Sequence, residues 1–468
     1  MLLSSSAYFI FLIAIFFLYW PSARSRAFSL SVILFANYFF FAKWDLFYLF
    51  LIPAASAIDF FLALGIHHAR RGWLRGLLVT ISVLLNVGLL ASLKYMPFAI
   101  ENYSALTGNP KIEWHWSFPL AVSFYCFQSL TYTIDVYRKD IKPTSSILAY
   151  LSAVSFFPTM LAGPITRVGV LLPQLEKEKT LTAEDGGRGV FLIGLGLMKK
   201  FLIADYLGAN LVNRIFDFPK LYTASEVVIG VYAYALQLYY DFSGYTDIAI
   251  GSALLLGVRL PPNFKMPYAA GSVPDFWRRW HITLSNWLRD YLYFSLPGLR
   301  SKWKSFTYAN LILTMIIGGI WHGPNWTFAV WGALHGVGLA ATRGWQQWRG
   351  QGAQNQAAWA RLSRIFFTFQ FVSLGWVFFR ASSLENAWQI LERIGSFSFS
   401  LANVSTPIVI VMGIAAVAHY TPTDWYRKAD GLFVRAPAFV QATAMALLLL
   451  AIHYIAATGA APFIYTKF

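Results

Sequence analysis

Three stretches of this chain carry side chains capable of chemistry. GGIWHGPNW sets His322 beside Trp321 and just ahead of Gly323 and Pro324, at the end of an apolar run. PDFWRRWHITLSNWLRDYLY gathers Arg278, Arg279, His281, Asn286 and Arg289 among tryptophans that include Trp280. YYDFSGYTDIAIG places Asp241 and Asp247 in an apolar context. An imidazole titrates near neutrality and can take or give a proton. In lipid an ionisable group is costly, and its presence marks function or polar pairing. His322 therefore reads as a general base or as a transporter's proton relay, and the residues alone leave the two open. His281 is either a satisfied interfacial histidine or a group aimed into a cavity. At helical spacing Asp241 faces Tyr245 and Ser243 faces Asp247, as helix–helix hydrogen bonding or as support for the reactive region. No HExxH or paired-cysteine spacing accompanies the histidines, and no GxSxG elbow, P-loop or dinucleotide fingerprint occurs. The single Cys126 excludes an intrachain disulfide and a cysteine metal cluster.

These groups must be positioned by membrane helices. Of 468 residues, 57% are hydrophobic and 12% charged, too apolar for a soluble chain of this length. Runs such as Ser5–Trp20, Asp45–Ile66, Gly76–Leu93 and Ala436–Ile455 approach the ~20 apolar residues that cross a bilayer. They lack the alternation of barrel strands, so the expectation is an all-α polytopic membrane protein. The net charge of +16 sits between apolar runs. That is the pattern of cytoplasmic loops and headgroup contact, not of nucleic-acid binding.

Arg24 and Arg26 follow a first span that is not a cleaved signal peptide, which puts the N-terminus outside. The alternation continues. Lys43–Asp45 and the Tyr95–Trp116 loop fall outside; Arg70, Arg71, Arg75, Arg138, Lys139 and Lys142 fall inside. About eleven spans are expected in one domain, with N-terminal spans over 1–116, a core over 117–340 and C-terminal spans over 341–468. FFPTMLAGPITR reads as a broken helix, and Lys199 and Lys200 interrupt the apolar run Gly189–Leu207. Arg343–Arg364 and Trp425–Arg435 read as polar loops. His67 and His68 read as solvated, His115 as interfacial, and His419 and His453 as packing or interfacial.

Taken as one helix, Asp275–Tyr293 places Trp277, Trp280, His281, Leu284, Leu288 and Tyr291 in one stripe. Arg278, Asn286, Arg289 and Asp290 lie opposite. Gly318 and Gly319 allow close helix approach or a local break, and Gly323–Pro324 stop the helix past His322.

Six collinear stretches resemble the membrane-bound O-acyltransferase (MBOAT) family, in its AlgI-like alginate O-acetyltransferase branch. They are SFYCFQSLTYTIDVYR, FFPTMLAGPITR, LQLYYDFSGYTDIAIG, LPPNFKMPY, DFWRRWHITLSNWLRDYLY and GGIWHGPNWTFAVWGALHG. The resemblance implies a ring of helices around a thin core with a central tunnel. It implies that His322 is the buried catalytic histidine and that His281 is the second family residue, on the cytoplasmic side. It implies acetyl transfer from a cytoplasmic thioester, acetyl-CoA or another, with no bound cofactor or metal. The implied partners are a periplasmic SGNH-type acetyltransferase and polysaccharide-biosynthesis proteins at the bacterial inner membrane. Arg278, Arg279, Trp280, Asn286, Trp321 and Asp241 form the expected substrate-binding set; the two arginines suit phosphates or lipid headgroups. FSLPGLR (Phe294–Arg300) stands where alginate-type members carry a PLGGNR-like motif, so alginate and cellulose both remain as polymers. D-alanyl transfer to teichoic acid, a proton-coupled transporter and an anchoring subunit are the competing readings.

Overall fold

The computed structural model describes residues 2–42, 46–110, 112–114, 121–161, 163–178, 180–297, 304–349 and 357–455. Lys43–Asp45, His115 and residues 298–300 of FSLPGLR lie outside the described residues. All regular structure among the described residues is helical. Two compact units divide the chain: residues 1–194, 245–261 and 433–435 form the first, and 195–244, 262–432 and 436–468 the second.

In the first unit, helices Ser6–Ser22 and Arg26–Ala42 pack together, and helix Tyr48–His68 packs on Gly72–Leu90 and Ala121–Arg138. Their shared interior holds a carboxylate. Asp59, fully buried, accepts hydrogen bonds from Ser82 Oγ (2.6 Å), Asn86 Nδ2 (2.7 Å) and Ser129 Oγ (2.5 Å). A carboxylate out of water needs such donors on both oxygens. The expected break at Pro158 is a 3-10 turn, Phe157–Thr159. Asn37 holds it: its Oδ1 accepts from Phe157 N–H (2.9 Å) and its Nδ2 donates to Ser152 O (3.0 Å).

The second unit is built around a hairpin of helices Lys304–His322 and Trp326–Arg349. Their close crossing requires glycine. A Cβ on Gly319 would lie 2.3 Å from Phe328 O, and one on Gly332 2.3 Å from Met315 O. Gly318–Gly319 thus serves close approach, and the helix runs unbroken through it to His322. Helices Ala358–Arg380 and Val273–Trp277 pack against Trp326–Arg349.

Among the described residues, three helices are long and apolar enough to span a membrane: Tyr48–His68, Gly72–Thr107 and Ala358–Arg380. A fourth span arises if Thr406–Tyr420 and Thr423–Arg435, bent by 94°, count as one. Several expected boundaries shift. The chain after Tyr95, expected as a loop, stays helical to Thr107: a π-helical turn, Ala91–Tyr95, leads into helix Met96–Thr107. Trp425–Arg435 is not a loop either but lies within helix Thr423–Arg435. Its polar composition belongs to an amphipathic helix, a type suited to an interface. The polar segment after Arg343 continues as helix to Arg349. Helix Leu384–Gly395, which the apolar runs do not signal, starts where Ser383 Oγ accepts from Asn386 N–H (3.0 Å).

Gly332→Val should lower the thermal inactivation temperature of the detergent-purified protein, by overpacking worth about 1–3 kcal/mol. Gly413→Ala, where an added Cβ meets nothing within 4 Å, should leave it unchanged. A silent Gly332→Val in a melting assay would refute the crossing.

Candidate active site

His322 ends its helix, and the Gly323–Pro324 corner follows before the chain re-enters helix at Trp326. It is 5% exposed. Trp321, Trp331 and Phe379 approach its ring edge-on, at centroid distances of 5.0, 5.2 and 5.0 Å. The imidazole is therefore buried against aromatic rings. Trp331 contacts two histidines, because His335, fully buried, also meets it, at 4.9 Å. His335 Nδ1 accepts from Trp277 Nε1–H (3.3 Å). A tryptophan N–H can only donate, so His335 is neutral with its proton on Nε2.

His281 is not within a helix. The continuous Asp275–Tyr293 helix expected from periodicity is interrupted: helix Val273–Trp277 ends, His281 takes a left-handed conformation (φ 41°), and Ile282–Trp287 follows. The cause is the neighbouring segment. Its Lys265 N–H donates to Arg279 O (2.9 Å), and Ile282 N–H donates to Asn263 O (2.9 Å), where an unbroken helix would use its own carbonyls and amides. The buried stripe survives the break: Trp277, Trp280, His281, Leu284, Leu288 and Tyr291 are all buried.

Asn263 also orients the histidine. Its Oδ1 accepts from Thr283 Oγ1–H (2.6 Å) and Thr283 N–H (3.3 Å), which fixes it as an acceptor. His281 Nδ1, 3.3 Å away, is then the donor, which in the neutral ring leaves the lone pair on Nε2. Phe242 packs edge-on at 4.7 Å. From there a run of rings leads toward His322. Phe242 meets Trp280 (6.5 Å), Trp280 meets Trp376 (5.0 Å), Trp376 meets Phe379 (5.4 Å), and Phe379 meets His322.

The other expected residues divide. Trp280 and Trp321 are buried members of this wall. Arg279 is turned onto Asp275 (3.0 Å), whereas Arg278 has a 74% exposed side chain, 3.9 Å from the same carboxylate. Asn286 is half-buried. Asp241 is 2% exposed and meets Lys200 Nζ at 2.8 Å, with Asp205 at 2.8 Å from the same amine. Lys200, whose side chain is 1% exposed, interrupts an apolar run in the sequence, but its pairing with the two aspartates was not read there. A π-helical stretch, Met198–Asp205, stacks positions five apart, so Lys200 and Asp205 share a face. The sequence signal was a lysine in an apolar run with an aspartate five residues on. His419 is also more than packing: its Nε2 accepts from Tyr268 N–H (3.2 Å). Among the described residues no group of three or more His, Cys, Asp or Glu is placed to hold a metal.

Removing one member of the Lys200–Asp241 pair strands a buried charge, and losses of about 3–5 kcal/mol are usual. Lys200→Met should therefore sharply reduce folded protein in the membrane, and Lys200→Met with Asp241→Leu should recover part of it. Quantitative immunoblotting after size-exclusion chromatography checks this; a double variant no better than the single one would refute the pairing.

Known proteins resemble the chain across this region. The model of MBOAT, the membrane-bound O-acyltransferase family, matches residues 110–384. A probable alginate O-acetylase AlgI of Azotobacter vinelandii is 38% identical over 406 residues, 84% of this chain and 78% of the relative. A peptidoglycan O-acetyltransferase of Helicobacter pylori is 34% identical over 417 residues, 83% and 78%. A teichoic acid D-alanyltransferase of Bacillus subtilis is 27% identical over 274 residues, 56% and 68%. His281 and His322 both lie within the matched interval. The chain belongs to the membrane-bound O-acyltransferase family and is an O-acyltransferase.

Proposed function

We propose that this enzyme takes an acetyl group from a cytoplasmic acetyl thioester, acetyl-CoA or another, and passes it across the bacterial inner membrane for O-acetylation of an exopolysaccharide. The observation that carries the reading is His322: a histidine 5% exposed, at a helix end, walled by three aromatic rings. In the proposed step an acceptor hydroxyl oxygen attacks the thioester carbonyl carbon while His322 takes its proton. The carbon–sulfur bond breaks, and the thiolate receives that proton. A dry enclosure limits loss of the thioester to water. His281 faces the path with an unprotonated Nε2 and acts as the second polar group there. Arg278, the more exposed arginine, is the better of the pair to meet a donor phosphate. Trp280, Trp321 and Asn286 line the path, and Asp241 supports it through Lys200.

Within this reading the shorter apolar helices complete about eleven spans around a central tunnel, with residues 117–340 as the catalytic core. The acetyl group continues to a periplasmic SGNH-type acetyltransferase working with polysaccharide-biosynthesis proteins. Alginate and cellulose are the polymers proposed. The higher identity to acetyl-transferring relatives than to the D-alanyltransferase supports acetyl over D-alanyl.

Cells carrying His322→Ala should make polymer in normal yield with ester-bound acetyl reduced by about 100-fold or more, at unchanged membrane abundance of the protein. Unchanged acetyl with the protein present would remove His322 as the base. Loss of the polymer itself would place the protein in export.

A further inference from the structure

A cavity of about 490 Å³ opens among the His281-bearing segment, helix Lys304–His322 and helix Trp326–Arg349, within the ~300–1,000 Å³ usual for small-ligand sites. Its most buried lining residues are mainly apolar: Trp277, Leu288 and Met315, with Thr314, are each less than 9% exposed. Its exposed lining residues are Phe294 and two arginines, Arg289 and Arg343. Asp290 pairs with Arg289 at 2.7 Å, so these three groups together carry one net positive charge.

We propose that this cavity holds an acyl chain of an anionic phospholipid, with the phosphate on Arg289 and Arg343. The exposed charge and the mainly apolar buried lining match the two ends of such a molecule. The polar donors of the wall, those of Trp277, Thr314 and Ser285, favour a hydrocarbon over the amide-bearing arm of a thioester donor. Trp277 N–H is committed to His335, Thr314 O–H to Asn310 O (2.7 Å) and Ser285 O–H to Trp280 O (3.2 Å). None of these three donors is left for an amide carbonyl, which would be buried unsatisfied. A hydrocarbon chain asks for none. The lipid's end then rests on Trp277, whose indole holds His335 in its tautomer, so occupancy bears on the wall of the active site.

The test uses the full-length protein, delipidated in detergent and incubated with vesicles of phosphatidylcholine alone or with phosphatidylglycerol, then analysed for bound lipid by native mass spectrometry. Phosphatidylglycerol should be retained over phosphatidylcholine by about fivefold, the worth of one nearby basic charge. Arg343→Gln should abolish that preference. Leu339→Trp, which fills the cavity, should remove most bound lipid of either kind. Arg343→Gln changes only an exposed position, so it decides the matter even if Leu339→Trp does not fold. Equal retention of the two lipids, a preference untouched by Arg343→Gln, or displacement of the lipid by acetyl-CoA would overturn the proposal. The last result would assign the cavity to the donor.

Discussion

A polar group carried into lipid must find its partners inside the protein, and the arrangement of this chain follows from that constraint. Asp59 receives three donors in one unit; Asp241 and Asp205 share Lys200 in the other. His281 is held by Asn263, His335 by Trp277. Each arrangement gives a buried polar side chain at least one partner, in a setting where an unpartnered group costs several kcal/mol. His322 lies against the rings of Trp321, Trp331 and Phe379, and those contacts fix where its imidazole stands.

The glycines make this enclosure possible. Trp331 reaches His322 only because helices Lys304–His322 and Trp326–Arg349 cross at backbone contact through Gly319 and Gly332. Bulk at the crossing would move the wall of the site. The same hairpin carries Leu311, Met315 and Leu339, so it also forms one side of the lipid-sized cavity. One close crossing thus shapes both spaces.

The burial of His322, His281 and the aromatic stripe around them was legible in the sequence, because composition and local spacing mark it. The residues that hold them were not. Asn263 lies 18 positions before His281, and Lys200 lies far from Asp241 along the chain. Pairings of that kind come from tertiary packing, which a single sequence does not display. Periodicity also misled in one place. The stripe through Trp277 and Leu288 is buried as expected, yet the helix assumed to carry it is broken at His281 by backbone bonds from a neighbouring segment. At the level of elements, the all-helical class followed from the uniformly apolar runs. The helices Met96–Thr107, Leu384–Gly395 and Thr423–Arg435 escaped because short amphipathic or capped helices carry too little hydropathy to stand out.

The central claim is that a dry ring enclosure lets His322 direct an acetyl group to its acceptor and not to water. The most direct measurement is the partition of a radiolabelled acetyl thioester between acceptor ester and free acetate, using purified protein in lipid and the variant Phe379→Ala. Phe379 packs 5.0 Å from His322 and bears no group that reacts. The account predicts less ester and more free acetate from the variant, at unchanged protein abundance. An unchanged partition, with transfer as fast as in the original protein, would contradict it.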